Sequence, residues 1–487
     1  MITLPRITIK FLPSPILLFF ISILFSLDIT AQGKISKNKK AIINSLESKR
    51  ERLIEISDNI WEAAEPALLE FKSSKYLSDY AEENGFTVER GVAGIPTAFT
   101  AKFGSGRPII GIMGEFDANP GISQKKQPTK EPLVKGAAGH GCGHNIYGTG
   151  SLAAAVAIKE LIESGEISGT VVFYGTPAEE TIFAKVWMVR AGLFDDLDLC
   201  MDWHPSGATE ASTQSSKALV DFRLRFYGDA SHASSDPWNG NSAVDAMELY
   251  TTGLNYYREH ILPTARIHYD IEKAGDVVNV VPDYAQIWTR LRENDRSKVD
   301  VLYDRAKKIA EGAAMMANVD FDFNLISGIY EIIPNRYGAG VIQKNLEMLG
   351  DLTYTNEEIN YANTILRETG KPELGLDGII KPLRPTLPAQ GGSTDVGDVS
   401  QVVPVVRLRV TTAAKGGPWH SWAVVACTGM SIGHKCLMYG SKALAMTMLD
   451  FYKNPKLIEE VKSEFIERKG DKVYDPRIPP GPPKLVD

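Results

Sequence analysis

Two histidines flank a cysteine in Gly139-His140-Gly141-Cys142-Gly143-His144-Asn145, where glycines let the backbone turn tightly. A thiolate and an imidazole two residues apart can therefore converge on one point. Downstream stand the adjacent carboxylates of Pro177-Ala178-Glu179-Glu180, and then His204 in Asp202-Trp203-His204-Pro205. Thiolate, imidazole and carboxylate together suit Zn²⁺, or Mn²⁺ where oxygen and nitrogen dominate. On a tight loop one glutamate can bind a cation while its neighbour faces water, and a carboxylate beside metal-activated water is a suitable general base. Each element alone has a plainer reading: a structural histidine, a solvated carboxylate pair, or a cysteine paired with Cys200, Cys427 or Cys436. The glycine-rich loop lacks the lysine and spacing of a phosphate-binding P-loop. Joint occurrence in successive loops favours the metal.

The elements that must position these groups are short apolar strands separated by helices. Pro108–Met113, Thr170–Tyr174 and Leu197–Met201 read as strands, and Ser151–Ile162 as an amphipathic helix. That order predicts an α/β fold with a largely parallel mixed sheet covered by helices. It sets the glutamate pair and His204 just past strand C-termini, where open α/β sheets hold their sites. After about Ser216 the texture changes to strand Lys217–Tyr227 (with one slip in its alternation), helix Ser242–His260, strands Ala265–Ile271 and Ala285–Arg292, helix Lys298–Ala317 and strand Val319–Ile326. The order β-α-β-β-α-β is that of a ferredoxin-like α+β sandwich, whose close ends permit insertion into another domain. Helices Val341–Leu349 and Gly433–Tyr452 then return to the first domain, and a Pro-rich tail begins at Pro476. The expected organisation is 1–31 signal peptide, 32–215 first part of the catalytic domain, 216–330 lid and dimerisation domain, and 331–487 second part.

The 487 residues are 44% hydrophobic and 23% charged, enough for a sizeable core and more than one domain. The formal charge is −7 and no stretch is strongly basic, which argues against a nucleic-acid partner. Four cysteines cannot build a disulfide framework at this size. Arg6 and Lys10 precede the apolar run Ile16–Leu27, and Thr30-Ala31 before Gln32 offers a cleavage point. The run is shorter than the roughly 20 residues a membrane span needs, so the expectation is an exported, periplasmic protein with no membrane attachment after cleavage. An uncleaved anchor is the alternative.

Taken together, Gly114-Glu115-Phe116-Asp117-Ala118, Gly139 to Asn145, Gly175 to Glu180, Lys185 to Arg190, Trp203-His204-Pro205, Gly391 to Ser400 and His420-Ser421-Trp422 carry a resemblance. The chain resembles the aminoacylase/carboxypeptidase-G metallopeptidase family in its amidohydrolase branch. The resemblance implies two divalent metal ions per subunit, Mn or Zn, held by Cys142, His144, Glu180, His204 and His420. It implies Glu179 as catalytic base and Asp117 as a carboxylate orienting a ligand. His232, in Gly228 to Ala233, matches a lid histidine that reaches the other subunit's site in a homodimer. Asn279, in Val278 to Pro282, matches a polar lid residue near the substrate. His434 is the alternative to His420 as last ligand, and His140 reads as structural. The implied reaction is hydrolysis of a small-molecule amide: an N-acyl amino acid, a dipeptide or a p-aminobenzoyl-glutamate-like compound. Two departures from the branch are Thr181-Ile182-Phe183-Ala184, where a small glycine-rich patch is usual, and Asn119, where leucine is common. The rival readings are a thiol hydrolase using Cys142 with His144 as base, and an exported non-catalytic metal- or peptide-binding protein on the same fold.

Overall fold

The computed structural model describes residues 35–485, so the expected signal segment 1–31 lies outside the described residues. In chain order the strands are β1 (Thr87–Arg90), β2 (Phe99–Ser105), β3 (Ile109–Gly114), β4 (Gly169–Gly175), β5 (Leu199–Ser206), β6 (Glu210–Ala211), β7 (Ala218–Tyr227), β8 (Arg266–Ala274), β9 (Tyr284–Glu293), β10 (Asp320–Ile329) and β11 (Val405–Thr411). They form a seven-stranded sheet in the order β1-β2-β4-β3-β5-β11-β6 and a four-stranded sheet in the order β10-β7-β9-β8.

The larger sheet is parallel at its centre, where β4, β3, β5 and β11 lie side by side. It is antiparallel towards both edges, through β1, β2 and β6. The expected largely parallel sheet is thus confined to the strands joined by helical crossovers, because strands that return by shorter connections can run antiparallel. Side chains of the central strands alternate between two apolar layers: Ile110, Ile112, Val171 and Phe173 on one face, Met113, Val172 and Tyr174 on the other.

Helix His144–Glu163 covers the first face and begins seven residues before the expected Ser151. It is buried along nearly its whole length rather than amphipathic, because helices Arg50–Ala63 and Ser431–Lys453 close over it. The run Ala153-Ala154-Ala155 allows that close packing. β5 runs on to Ser206, so His204 belongs to the strand rather than to the loop beyond it. The cause is β11, unassigned in the sequence reading, which pairs in parallel with β5 and sets Arg409 opposite His204.

The four-stranded unit follows the ferredoxin-like order, with helices Ala243–Tyr257 and Arg296–Ala317 on one face. The slip in β7 has a structural cause. Leu219 packs into the core of the larger sheet, while Val220, Phe222, Leu224 and Phe226 meet the helices of the smaller one. On β9 the same alternation sends Ile287 and Leu291 to the helices and leaves Arg290 and Arg292 on the opposite face. Helix Pro455–Lys469, also missed by the sequence reading, leads into the proline-rich tail. There Arg477 bridges to Gly328 of β10, and the Gly481 carbonyl accepts from Trp187 Nε1 at 3.0 Å. Among the described residues no helix is long and apolar enough to cross a membrane.

Candidate functional site

The central parallel strands end around one cavity of about 550 Å³. β3 runs into Glu115-Phe116-Asp117, β4 into the loop bearing Glu179 and Glu180, and β5 carries His204 near its end. Gly143, at φ +78°, turns the chain into the helix that His144 opens. It lies close against Pro205, which leaves little room for a side chain. Ala178 has φ +58°, a strained value for a residue with a Cβ. Glu70 secures it, because the Ala178 N–H donates to Glu70 Oε1 at 2.9 Å. That turn presents Glu179 and Glu180 to the cavity.

The expected ligands come together. Donor atoms of Cys142, His144 and His204 lie within 4.8 Å of one another, as do those of Cys142, Glu180 and His420. Cys142 Sγ is 3.1 Å from His420 Nε2. Glu180 faces both histidines, with Oε1 3.8 Å from His144 Nε2 and Oε2 3.8 Å from His420 Nε2. Asp117 holds the frame: Oδ1 accepts from His144 Nδ1 and Oδ2 from the Glu180 backbone N–H, each at 2.9 Å. His204 Nδ1 lies 2.6 Å from the Pro205 carbonyl, an arrangement that makes Nδ1 the donor and leaves Nε2 as a free lone pair.

The site concentrates buried acidic groups. Cys142, Glu115, Asp117, Glu179 and Glu180 are buried or nearly so, and Lys185 is a buried cation in direct contact with Glu115. His144 Nε2, Glu115 Oε2 and Glu180 Oε1 have no hydrogen-bond partner although they are buried. Such a set is costly in isolation and is what divalent ions would neutralise. Burial, with Glu115 and Glu180 beside it, pushes the Glu179 carboxyl well above its ordinary value. Burial and the neighbouring His144 push His204 down to about 3, so it stays neutral and able to ligate. For His144, burial alone would depress the imidazole, but Glu115 and Asp117 raise it.

Several sequence readings separate here. His434 pairs with Asp58 at 2.9 Å and does not line the cavity, whereas His420 does. His140 Nε2 meets the Ile60 carbonyl at 3.0 Å, a structural contact. All four cysteines are free, so the disulfide alternative for Cys142 falls. His232 and Asn279 are neighbours, since the Ala233 N–H donates to the Asn279 carbonyl at 3.0 Å. Both are exposed, and neither lines the cavity of this chain. The two departures also divide: Phe183 and Asn119 line the cavity, while Ile182 is buried in the core beside it.

The sequence reading missed the cavity's cationic wall. Arg290, Arg292, Arg407 and Arg409 line it, opposite the carboxylates in charge. Arg290 Nε donates to Asp221 at 2.9 Å, while Arg292 Nε is buried without a partner. The i, i+2 spacing of both pairs on strands was the available signal. Also missed were Glu115, Lys185 and Asp395, which form a fully buried ionic cluster.

Comparison with known proteins gives consistent results. Peptidase family M20/M25/M40 matches residues 111–347. One of the p-aminobenzoyl-glutamate hydrolase subunits of Escherichia coli (strain K12) is 36% identical over 90% of this chain and 97% of its own length. The Xaa-Arg dipeptidase of Mus musculus is 28% identical over 88% of this chain and 92% of its own. Among solved structures, a dinuclear metal-binding peptidase of Bacillus subtilis superposes with a TM-score of 0.55 at 17% identity, covering 84% of this chain and 99% of that one.

Proposed function

The chain belongs to the M20/M25/M40 peptidase family and is a hydrolase; on that premise we propose that its cavity cleaves a small-molecule amide with two divalent cations, Mn or Zn. The observation that carries this reading is the convergence of Cys142, His144, Glu180, His204 and His420 on one cavity with Glu179 beside them. When bound, the cations supply Lewis acidity that polarises the scissile carbonyl and lowers the pKa of water. Glu179 takes the proton of the attacking water and returns it to the leaving amine. Its place on the cavity wall beside Glu180, Cys142 and His204 suits that exchange, because a base must stand within reach of the proton it takes.

The substrate classes are an N-acyl amino acid, a dipeptide or a p-aminobenzoyl-glutamate-like amide. The arginine wall supports a substrate bearing a carboxylate, and the Escherichia coli relative is named for such a compound. We read 32–215 and 331–487 as the two parts of the catalytic domain and 216–330 as a lid. His232 and Asn279 would then act on a neighbouring subunit's site in a homodimer, His232 donating to the developing oxyanion. Exposed Trp238 and Val278 beside that loop support a partner covering it. Export to a periplasm rests on Arg6, Lys10 and the apolar run Ile16–Leu27. Against a Cys142 nucleophile, burial and Glu180 raise its thiol, the opposite of what a reactive thiolate needs.

The test is chelation, then reconstitution with Mn²⁺ or Zn²⁺, with hydrolysis of N-acyl amino acids, dipeptides and aminobenzoyl-glutamate followed throughout. Activity lost on chelation and restored by either ion is expected. A fully loaded protein that binds these compounds and cleaves none would leave only the binding-protein reading.

A further inference from the structure

Glu115 lies outside the expected ligand set, yet it reaches the same centre. Its Oε1 accepts from Lys185 Nζ at 2.6 Å, and Lys185 also donates to Asp395 Oδ1 at 2.6 Å. The Lys185 backbone N–H donates to Asp395 Oδ2 at 2.9 Å, so the ammonium is anchored at both ends of its residue. All three side chains are fully buried. A structural carboxylate would be served by that contact alone, but the second oxygen points elsewhere.

Oε2 of Glu115 stands 2.9 Å from His144 Nε2, yet the two are not aligned as a hydrogen bond, and each lacks any other partner. His144 Nδ1 is already taken by Asp117, so Nε2 is the nitrogen left for a ligand. Two donors each about 2.1 Å from one cation lie roughly 3 Å apart when they meet it at a right angle. The observed separation is of that size. A Glu179 carboxylate oxygen lies within 4.8 Å of both, which sets the base beside an ion held there rather than among its holders.

We propose that Glu115 is a further cation-holding carboxylate of this centre, sharing an ion with His144 and kept in place by Lys185, which Asp395 anchors. The inference rests on the two-cation reading above and adds a donor to it. It also gives the buried ammonium a task. Lys185 fixes one oxygen of Glu115 so that the other keeps its direction towards His144, making Lys185 and Asp395 positioning residues.

The experiment is a titration of metal-stripped full-length protein with Mn²⁺ and Zn²⁺, read by calorimetry and by metal content after gel filtration. The wild type is compared with Glu115→Gln and, in case the first does not fold, Glu115→Asp. Wild type should take two equivalents, and Glu115→Gln should lose affinity for one of them by at least about tenfold, the smaller effect expected even of an outer-sphere partner. The visible absorption of the Co²⁺-loaded protein should change with the lost oxygen, which a purely structural role would not cause. Wild-type stoichiometry, affinity and Co²⁺ spectrum in both variants would overturn the assignment while leaving the two-cation reading intact. A wild type that holds no metal would overturn both.

Discussion

At the cavity floor His144 is fully buried with a carboxylate beside each ring nitrogen, whereas His232 stands exposed and accepts the backbone N–H groups of Ser234 and Ser235 from its own turn. The floor is assembled within one chain. Asp117 braces both His144 and Glu180, Glu70 braces the turn before Glu179, and Lys185 braces Glu115. No comparable bracing by side chains of the larger sheet reaches His232 among the described residues. A preorganised group works where its own chain leaves it, while an exposed one needs another surface to give it a task.

The floor is where a single substitution should cost most. Glu179→Gln keeps the shape and removes the base, so turnover should fall about 10²–10⁴-fold while metal content and melting temperature stay put. Unaltered turnover would remove Glu179 from the reaction. The exposed loop should respond less. His232→Ala is expected to lower turnover roughly 10²–10³-fold with metal retained, as loss of one oxyanion donor does. Mixing the impaired His232→Ala with the impaired Glu179→Gln should raise activity well above that of either alone if the histidine serves a neighbouring subunit, since a mixed dimer contains one complete site. A mixture as inactive as its parts would confine any role to its own chain.

The smallest effect concerns pH. Burial, with Asp117 next, pushes Glu70 up to about 8 from its ordinary 4.5. The folded state therefore holds this proton more tightly than the unfolded chain does. Its contribution to stability is complete below about pH 4.5 and is lost as pH rises towards 8. In metal-free protein, melting temperature should fall with rising pH across that window, and Glu70→Gln should flatten the slope. Parallel slopes would show that Glu70 does not titrate there.

Much of the floor was legible because its residues are rare types in short motifs. Few histidines occur in the chain; those of Gly139 to Asn145 stand in a glycine-rich motif before a recognisable helix, and that of Trp203 to Pro205 follows a recognisable apolar strand. The arginine wall was not legible. Arginine is ordinarily a surface residue, and nothing local says that one face of β9 and the end of β11 meet across a cavity. β11 itself was hidden because Val405-Val406-Arg407-Leu408-Arg409 mixes apolar and charged residues, and its identity depends on pairing with β5 about 200 positions earlier. Lys185 entered only as part of the matching stretch Lys185 to Arg190, and nothing local sets its ammonium between Glu115 and Asp395.

Local chemistry in the sequence settled which residue types could ligate and the order of the ferredoxin-like insertion, because periodicity and motif spacing are short-range properties. It left open which of His420 and His434 joins them and gave no hint that Glu115 shares their focus. Those were decided by contacts spanning hundreds of positions: the 3.1 Å approach of His420 to Cys142, the pairing of His434 with Asp58, and the Lys185 ammonium held between two carboxylates. Only the closed tertiary fold brings such distant groups within bonding range, and burial then forces each to find its partner.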